Sequence, residues 1–350
     1  MTTRQNFLLY GANGYTGGLI ARKATEGGLR PVLAGRSQAV ARLGAELGLE
    51  YRIFNLEDRA ALDRALEEVV AVLHCAGPFV RTSGLMVAAC LRTGTHYLDI
   101  TGEVAVFEAA MARHEQAQRA GVMLMPGVGC DVVPTDCLAA YLAAQLPEAD
   151  SLVLALQILN VVSRGTALTI VEGPYEGGLV RRDGILTPVP AGYKTRSFDF
   201  GAGAEEATTI PWGDLNTAFW QTGIPNIEAY LVLPPAARFL LFAGQWLGGV
   251  LRSEPVRNLQ KQFIASGPPG PTEAERRAGV CRFWGEVTKE GRSVQARLRT
   301  VEGYTLTALT ALLIAQKVLS GQFQPGFRTP AQVYGADLIL EVEGSLREDL

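Results

Sequence analysis

The sequence FLLYGANGYTG, residues 7–17, decides how the first part of the chain folds. Its four leading residues suit a buried strand, and Gly11, Gly14 and Gly17 then form a GxxGxxG turn that opens a helix. The first glycine makes the tight turn, the second lets backbone N–H groups approach a pyrophosphate, and the third lets the helix pack closely on the strand. The helix N-terminus has a partial positive charge that favours phosphate. The stretch therefore predicts a dinucleotide-binding unit.

Outward from this unit, apolar segments that suit strands alternate with segments of helical periodicity as far as residue 125. Strands are predicted at 7–10, 32–34, 51–55, 70–75, 97–100 and 122–125. Helices are predicted between them at 15–26, 40–47, 59–69, 85–92 and 104–120. Parallel strands need crossover connections of this kind, which are nearly always right-handed. The first part of the chain is therefore predicted to be α/β, with a Rossmann-type doubly wound parallel sheet.

Beyond about residue 150 the alternation ends, and long connections rich in glycine and proline join the predicted strands. These strands are at 152–159, 227–232, 282–287 and 293–300. A long apolar helix is predicted at 304–321, and Thr329-Pro330 suits an N-cap followed by proline at the first helical position. The pattern predicts a second, α+β domain with a mixed sheet.

Composition limits the class of protein. Of the 350 residues, 48% are hydrophobic and 19% are charged, against about 25% charged in an average soluble domain. Such a chain is neither disordered nor a small disulfide scaffold. The formal net charge is −3, and the basic residues are scattered along the chain. We therefore expect no nucleic-acid partner, because binding to a phosphate backbone requires a clustered basic face.

The cysteines and histidines predict neither a disulfide framework nor a metal site. Five cysteines include no CxxC pair, and three histidines include no HxxxH pair. The N-terminal sequence MTTRQNFLLYG lacks the apolar core of a signal peptide. The longest uncharged apolar run, 239–251, has 13 residues, whereas a transmembrane helix needs roughly 20. We expect a cytoplasmic protein with reduced thiols and no metal.

The end of the second predicted strand indicates which dinucleotide binds. A site that prefers NAD usually has an acid here, which accepts a hydrogen bond from the ribose 2′-hydroxyl. This chain has Ala34-Gly35-Arg36-Ser37 instead. Arg36 can stack on adenine and bond a 2′-phosphate, and Ser37 can add a hydroxyl. NADP(H) is therefore the predicted cofactor, with an ordinary solvated turn arginine as the alternative for Arg36.

Three loops should converge beside the nicotinamide, because ligands of such folds bind outside the carboxyl ends of the strands. These loops follow the fourth, fifth and sixth strands, at 74–79, 96–103 and 126–136. Glu103 and Asp131 are either functional carboxyls or caps of the following helices, and His96 suits packing better than catalysis. The predicted cofactor contacts are Gly11, Asn13, Gly14, Tyr15, Thr16, Gly17, Arg36, Ser37, Cys75, Ala76, Gly77, Pro78, Thr101 and Gly102.

Taken together, these motifs resemble the saccharopine dehydrogenase-like oxidoreductases, in particular the bacterial branch that includes trans-acting enoyl reductases. The resembling stretches are GANGYTG (11–17), LAGRS (33–37), CAGPF (75–79), GTHYLDITGE (94–103), GCDVVPTD (129–136), PWGDLNTAFWQTGIPNIEAY (211–230), GYTLTA (303–308) and PGFRTPA (325–331). The resemblance implies an NADP-binding Rossmann domain at 1–135 that is completed by 304–350. It also implies an inserted domain at 136–303 that shapes the substrate cleft or forms a dimer.

The leading functional hypothesis is an NADPH-dependent reductase of an apolar enoyl or carbonyl compound. The inserted domain supplies aromatic residues and the 239–251 run, which suit a lipid-like or polyketide-like substrate, a membrane surface, a core or a homodimer interface. The aromatic residues are Phe198, Phe200, Trp212, Phe219, Trp220 and Tyr230. Such a reductase also needs a proton donor. Asp131 is predicted to position substrate or a proton-relaying water.

Other donors and other functions stay open. Tyr97, Tyr175 and Tyr193 are alternative donors, although none lies in a YxxxK pair. A saccharopine-type amino-acid dehydrogenase would instead need cations for the carboxylates of its substrate. The candidate cations are Arg164, Arg181, Arg182 and Arg196. A third hypothesis, from a different class, is a non-catalytic NADP-binding protein at a lipid surface.

Overall fold

The computed structural model describes residues 5–158, 162–172, 177–234, 237–238 and 254–350. The apolar run 239–251 and Tyr175, both singled out in the sequence, lie outside the described residues. The chain divides into two compact units. The first unit comprises Met1–Val133 and Tyr304–Val333, and the second comprises Pro134–Gly303 and Tyr334–Leu350.

The described secondary structure consists of short strands and helices in both units. The strands are β1 (Phe7–Tyr10), β2 (Val32–Gly35), β3 (Tyr51–Ile53), β4 (Ala71–His74), β5 (His96–Asp99), β6 (Met123–Met125), β7 (Ser151–Gln157), β8 (Gly178–Arg182), β9 (Ile185–Val189), β10 (Thr195–Asp199), β11 (Ala204–Thr209), β12 (Asn226–Leu231), β13 (Val280–Lys289), β14 (Arg292–Val301), β15 (Gly326–Phe327) and β16 (Leu346–Asp349). The helices are α1 (Tyr15–Glu26), α2 (Ala39–Leu47), α3 (Arg59–Glu67), α4 (Phe79–Thr93), α5 (Val104–Met111), α6 (His114–Ala120), α7 (Val133–Gln145), α8 (Arg164–Glu172), α9 (Asp214–Thr222), α10 (Glu254–Ser266), α11 (Glu273–Ala278), α12 (Gly303–Leu319) and α13 (Pro330–Tyr334). A 3₁₀ turn spans Leu338–Glu341.

The first unit contains a seven-stranded parallel sheet in the order β15-β6-β5-β4-β1-β2-β3. The interior strand β1 pairs on both sides, with Leu9 opposite Leu33 of β2 and Leu73 of β4. All four residues of β1 are buried. A strand that is covered on both faces needs such a continuous apolar sequence. The predicted Rossmann-type α/β sheet is therefore confirmed.

The segment after residue 303 adds a helix and a strand to the first unit. The hydroxyl of Thr310 on α12 donates to the Val128 carbonyl at 2.8 Å, and Cys130 N–H donates to the Thr307 hydroxyl at 3.0 Å. Strand β15 then pairs in parallel with β6, with Phe327 opposite Leu124. Strand β15 was not predicted, because two residues are too few for a periodic pattern.

The expectation that the whole of 304–350 completes the first unit is wrong for residues 334–350. Strand β16 pairs antiparallel with β14 of the second unit, where Arg347 lies opposite Leu298. This pairing satisfies backbone groups along the edge of β14 that would otherwise stay exposed. The first unit also ends at Val133 rather than at 135.

The second unit contains a nine-stranded mixed sheet, as the sequence predicts. Its main path runs β10-β11-β12-β7-β13-β14-β16, while β8 joins β12 and β9 joins β8. Only β12 and β7 are parallel among the described pairs of this sheet. One face packs against α7, and a Cβ on Gly285 would lie only 2.6 Å from Leu142. The opposite face has an aromatic cluster that includes Phe198, Tyr230 and Trp284.

Two helices of the first unit differ from their predicted bounds. The predicted helix 104–120 is divided into α5 and α6, and the His114 ring at the start of α6 accepts a hydrogen bond from Phe327 N–H at 3.2 Å. Helix α4 begins at Phe79, six residues earlier than predicted. No helix among the described residues is both long enough and apolar enough to cross a membrane.

Candidate cofactor and active site

The glycine turn after β1 is fixed to the neighbouring strands. Gly11 has a φ of +85°, which a side chain would strain, and its N–H donates to the Ala34 carbonyl at 2.8 Å. A Cβ on Gly11 would lie 2.8 Å from the Ala76 nitrogen, so the turn packs directly on the loop that follows β4. The glycine is required here because two backbone segments approach each other closely.

The N-terminus of α1 is open in the way that a phosphate site requires. Its N-cap residue, Gly14, provides no side-chain hydrogen bond, and the first turn contains no acid. Asn13 and Gly14 are exposed, whereas a Cβ on Gly17 would overlap the Gly11 carbonyl oxygen. A helix N-terminus with these properties offers N–H donors and a positive dipole end to an anion. The turn therefore fits the diphosphate of a dinucleotide.

Arg36 lies exposed just after β2, at the position predicted for 2′-phosphate recognition. Among the residues that the structure describes, it has no carboxylate partner. Its positive charge lowers the pKa of Tyr10, although burial has the larger effect and leaves that pKa raised. Ser37 accepts a hydrogen bond from Val40 N–H at 3.1 Å through its carbonyl, at the start of α2. The two residues present a guanidinium and a hydroxyl beside the glycine turn.

A buried histidine holds the loop that follows β4. His74 Nε2 lies 2.9 Å from the Thr82 hydroxyl, which itself donates to the Ala76 carbonyl at 2.7 Å. Burial lowers the pKa of His74 to about 3, so the ring is neutral at physiological pH. Burial also raises the pKa of the Cys75 thiol, with the charge of Asp99 as a second cause. The predicted contact residues Cys75, Ala76, Gly77 and Pro78 thus lie on a loop with a fixed backbone.

Asp99 at the end of β5 joins two further loops. One carboxylate oxygen accepts the N–H groups of Thr101 and Gly127, each at 2.9 Å, and the other accepts the Tyr97 hydroxyl at 2.5 Å. Burial raises the pKa of Asp99 to about 6. Tyr97 is fully buried with its hydroxyl directed at Asp99, which argues against this tyrosine as the proton donor.

Glu103 connects the loop after β5 to the start of α4. Its two carboxylate oxygens accept hydrogen bonds from Phe79 N–H and Val80 N–H, each at 2.8 Å. Glu103 directly precedes α5, yet its side chain caps α4 instead. Sequence reasoning missed this contact, because the partners are separated by more than 20 residues and no local motif marks them.

Asp131 lies against the same loop. A Cβ added to Gly102 would lie 3.2 Å from Asp131 Oδ2, so the carboxyl fits where the glycine has no side chain. Burial, and to a smaller extent the negative charge of Glu103, raise the pKa of Asp131 to about 7. The structure therefore brings together residues from two loops that the sequence placed apart, with Gly102 and Glu103 on one loop and Asp131 on the other.

His96 lies away from these loops, at the amino end of β5. Its Nδ1 accepts a hydrogen bond from Met123 N–H at 3.0 Å, and its ring centroid is 4.0 Å from that of Phe323. The interpretation of His96 as a packing residue is confirmed.

An aromatic contact brings the start of α12 to the glycine turn. The rings of Tyr15 and Tyr304 meet edge to face, with 5.1 Å between their centroids. The GYTLTA motif contains Tyr304, but the sequence predicted no role for this residue. The contact explains why a segment nearly 300 residues after the turn belongs to the same unit.

In the second unit, each of the four candidate arginines contacts its own unit. Arg181 is buried and donates to the Leu215 and Gly184 carbonyls and to Asn216 Oδ1. Arg164 donates to the Ala265 carbonyl, Arg182 donates to the Tyr193 hydroxyl, and Arg196 pairs with Glu286.

The aromatic residues of the second unit also have structural contacts. Phe198, Phe200 and Tyr230 are buried in the cluster on the sheet, and the guanidinium of Arg181 lies 4.1 Å from the centroid of the Phe219 ring. Trp212 and Trp220 are half-buried. The interpretation of aromatic residues as core is therefore confirmed for Phe198, Phe200 and Tyr230.

Comparison with known proteins agrees with this geometry. Residues 7–125 match the family model described as the saccharopine dehydrogenase NADP binding domain. The match covers about a third of the chain, and over these residues the chain is similar to the NADP-binding domain of that family. Those residues include β1 to β6 and the glycine turn, so the matched NADP-binding domain lies in the first unit.

Two curated relatives of this chain differ in name. A trans-acting enoyl reductase of Mycobacterium leprae is 33% identical over 140 residues, which cover 37% of this chain and 34% of that protein. A saccharopine dehydrogenase-like oxidoreductase of Bos taurus is 24% identical over 227 residues, which cover 54% of this chain and 52% of that protein. The alignments thus span from about a third to about half of the relatives' own lengths.

A solved structure extends the similarity to nearly the whole chain. The apo saccharopine dehydrogenase (L-Glu forming) of Saccharomyces cerevisiae matches with a TM-score of 0.64 and covers 99% of this chain and 100% of its own. At 13% sequence identity this match establishes the fold alone.

Proposed function

We propose that this protein is an NADPH-dependent oxidoreductase that reduces an apolar enoyl or carbonyl substrate. The observation that supports the cofactor choice is the open glycine turn beside Arg36, a guanidinium with no carboxylate partner among the described residues. An extra phosphate at this position would find a charged donor that no acid within the described part of the chain neutralises. The name of the Mycobacterium leprae relative favours an enoyl substrate.

The cofactor contacts follow from the same geometry. The turn from Gly11 to Gly17 would hold the diphosphate at the N-terminus of α1, with Asn13, Tyr15 and Thr16 along its rim. Arg36 and Ser37 would bind the 2′-phosphate. The residues left for the ribose and nicotinamide are Cys75, Ala76, Gly77, Pro78, Thr101 and Gly102.

The chain must supply substrate binding and a proton, because the bound cofactor supplies the hydride. Among the described carboxyls at the carboxyl edge of the sheet, Asp131 has a pKa near neutrality, about 7, and can hold a proton at physiological pH. Asp99 accepts three hydrogen bonds and serves to fix loops. We therefore assign the proton-delivering or substrate-positioning role to Asp131.

The amino-acid dehydrogenase alternative receives less support. Arg181, its buried candidate cation, donates three hydrogen bonds within its own unit. Arg196 is paired with Glu286 at 3.4 Å. Charge reversal at Arg164 or Arg196 would abolish activity on an imino-acid or amino-acid substrate if this alternative were correct.

One surface of the second unit favours a contact with lipid or with a second copy of the chain. On α10, Leu259 is 66% exposed and Phe263 is 80% exposed, one helical turn apart, with Lys261 between them. Vesicle binding that is lost in Phe263→Ser would support a lipid contact, and a lower mass of that variant in solution would support a homodimer. The cytoplasmic location stays a prediction.

The central experiment measures NADPH oxidation against a panel of 2-enoyl thioesters and ketones. We expect turnover that falls at least tenfold in Asp131→Asn while NADPH affinity is retained. Titration calorimetry with NADPH and NADH accompanies it, and NADPH should bind more tightly. Absence of turnover across the panel, with tight NADPH binding, would contradict the reductase assignment.

A further inference from the structure

The loop from 99 to 103 is tied to both of its neighbours at the carboxyl edge of the sheet. Asp99 joins it to the loop after β6 through Gly127 N–H, and Glu103 joins it to α4 through Phe79 N–H and Val80 N–H. Between these two ties lies Gly102, against which the Asp131 carboxyl packs. Glu103 therefore fixes to α4 the loop against which Asp131 lies.

Glu103 binds as a carboxylate rather than as a carboxylic acid. Both of its oxygens accept backbone N–H groups at 2.8 Å, and the N-terminus of α4 stabilises a negative charge there. This anion cannot move away from Asp131 without leaving two amides of α4 without their partner. A second carboxyl close to a fixed anion is more stable when it is protonated.

We propose that Glu103 is the positioning residue for Asp131, and that the two form an acid pair in which Glu103 stays ionised and Asp131 holds the transferable proton. The delivery of that proton to substrate rests on the proposed reductase function. In that step the O–H bond of Asp131 breaks and a C–H or O–H bond of the substrate forms. Asp131 becomes a carboxylate and takes a new proton from water, while NADPH is the two-electron reductant.

The charged neighbours agree with this pair. The charge of Glu103 raises the pKa of Asp131, and burial acts in the same direction and more strongly. The other carboxyl of this edge, Asp99, is directed at Tyr97, Thr101 and Gly127. Glu103 is thus the charged residue whose removal should change the protonation of Asp131.

The test is a carbon-13 NMR titration of the carboxyl groups in the full-length protein without substrate. Asp131→Asn identifies the Asp131 signal, which we expect to titrate near neutral pH. In Glu103→Gln the midpoint of Asp131 should fall by about half a unit to one unit. Glu108→Gln, on the exposed side of α5, removes the same charge and should leave the midpoint unchanged.

Glu103→Asp keeps the charge on a shorter side chain, and it should preserve most of the raised midpoint even if the loop loosens. An Asp131 midpoint near 4 in the parent protein, or an unchanged midpoint in Glu103→Gln, would overturn the proposal. If the midpoints behave as expected but the substrate panel shows no turnover, the acid pair stands and the reductase assignment fails. If turnover is found but the Asp131 midpoint is unchanged in Glu103→Gln, the reductase assignment stands and the acid pair fails.

Discussion

The two units differ in the surroundings of the arginines that the sequence analysis singled out. In the first unit, Arg36 has no carboxylate partner among the described residues. The N-cap residue of α1 is Gly14, so no side chain caps this helix. In the second unit, Arg181 makes three hydrogen bonds inside its own fold, and Arg196 pairs with Glu286. Arg36 is thus exposed and available to a ligand, whereas Arg181 and Arg196 hold parts of the second unit together.

The difference has a physical reason in the two sheets. A parallel sheet places the carboxyl ends of all its strands, the loops that follow them and the N-termini of the next helices along one edge, where N–H donors accumulate. A mostly antiparallel sheet alternates its strand ends between two edges, and its long connections need side chains to satisfy their backbone carbonyls. Buried Arg181 does this for Leu215 and Gly184.

Replacing Arg181 should have the largest effect and tests the structural half of this comparison. Arg181→Ala leaves two carbonyls and the Asn216 amide without their donor, so we expect the free energy of unfolding to fall by about 3 kcal/mol. Urea denaturation measures this change. The exposed neighbour Arg182→Ala is the matched control, with an expected change below about 0.5 kcal/mol. A stable Arg181→Ala protein that loses only substrate affinity would show that this arginine serves a ligand.

Replacing Gly17 tests whether the first unit depends on close backbone packing. In Gly17→Ala the new Cβ overlaps the Gly11 carbonyl, so the turn must shift. We expect a loss of about 2 kcal/mol in unfolding free energy and a tenfold or larger loss of NADPH affinity. Gly84→Ala, on α4 where a Cβ would contact nothing within 4 Å, should be neutral or slightly stabilising. Unchanged NADPH binding in Gly17→Ala would remove the glycine turn from the cofactor site.

Local patterns predicted the fold of the first unit well, because strands such as β1 and β6 are continuous apolar runs. Strand β4 was predicted at 70–75 and spans Ala71–His74. Strand β16 could not be predicted in this way, since Leu346–Asp349 is largely exposed and polar. Its place is set by pairing with β14, more than 40 residues earlier in the chain.

In the candidate site, too, the local features were predictable and the long-range contacts were not. The glycine turn was predictable because all its parts lie within 11 consecutive residues. The cap that Glu103 provides to α4 was not, since its partners precede it by 23 and 24 residues. The helical prediction also began at 85, which hid the N-terminus at Phe79 that Glu103 caps.

Replacing Arg36 sharpens the recognition half of the comparison. Arg36→Ala should weaken NADPH binding by about 30-fold, or about 2 kcal/mol, because a charge-assisted contact to the 2′-phosphate is lost. NADH, which has no such phosphate, should bind Arg36→Ala and the parent protein equally well. Calorimetric titration with both cofactors measures this, with Arg42→Ala on the exposed face of α2 as the charge-matched control. Equal losses of affinity for NADPH and NADH in Arg36→Ala would show that Arg36 does not recognise the 2′-phosphate.

The smallest expected effect concerns the cost of keeping Asp131 at the edge of the sheet. Its pKa is about 7 in the folded protein against an ordinary 3.8, so the folded state binds this proton more tightly than the unfolded state. The contribution of this proton to the free energy of unfolding is fully present below about pH 4 and is lost as pH rises through about 7. Because the side chain is only half-buried, solvent screening reduces the expected change between pH 5 and pH 8 to about 1–2 kcal/mol.

Asp131→Asn should remove that change, so the variant should lose less stability than the parent protein between pH 5 and pH 8. Urea denaturation at the two pH values measures the difference, and Glu108→Gln should behave like the parent. The same substitution that removes turnover should therefore stabilise the protein at alkaline pH relative to the parent. Such opposite effects are expected where a carboxyl is held in an unfavourable environment for its chemistry. If Asp131→Asn keeps the full pH dependence, Asp131 is an ordinary ionised carboxylate, and the contrast between the two units rests on Arg36 and the glycine turn alone.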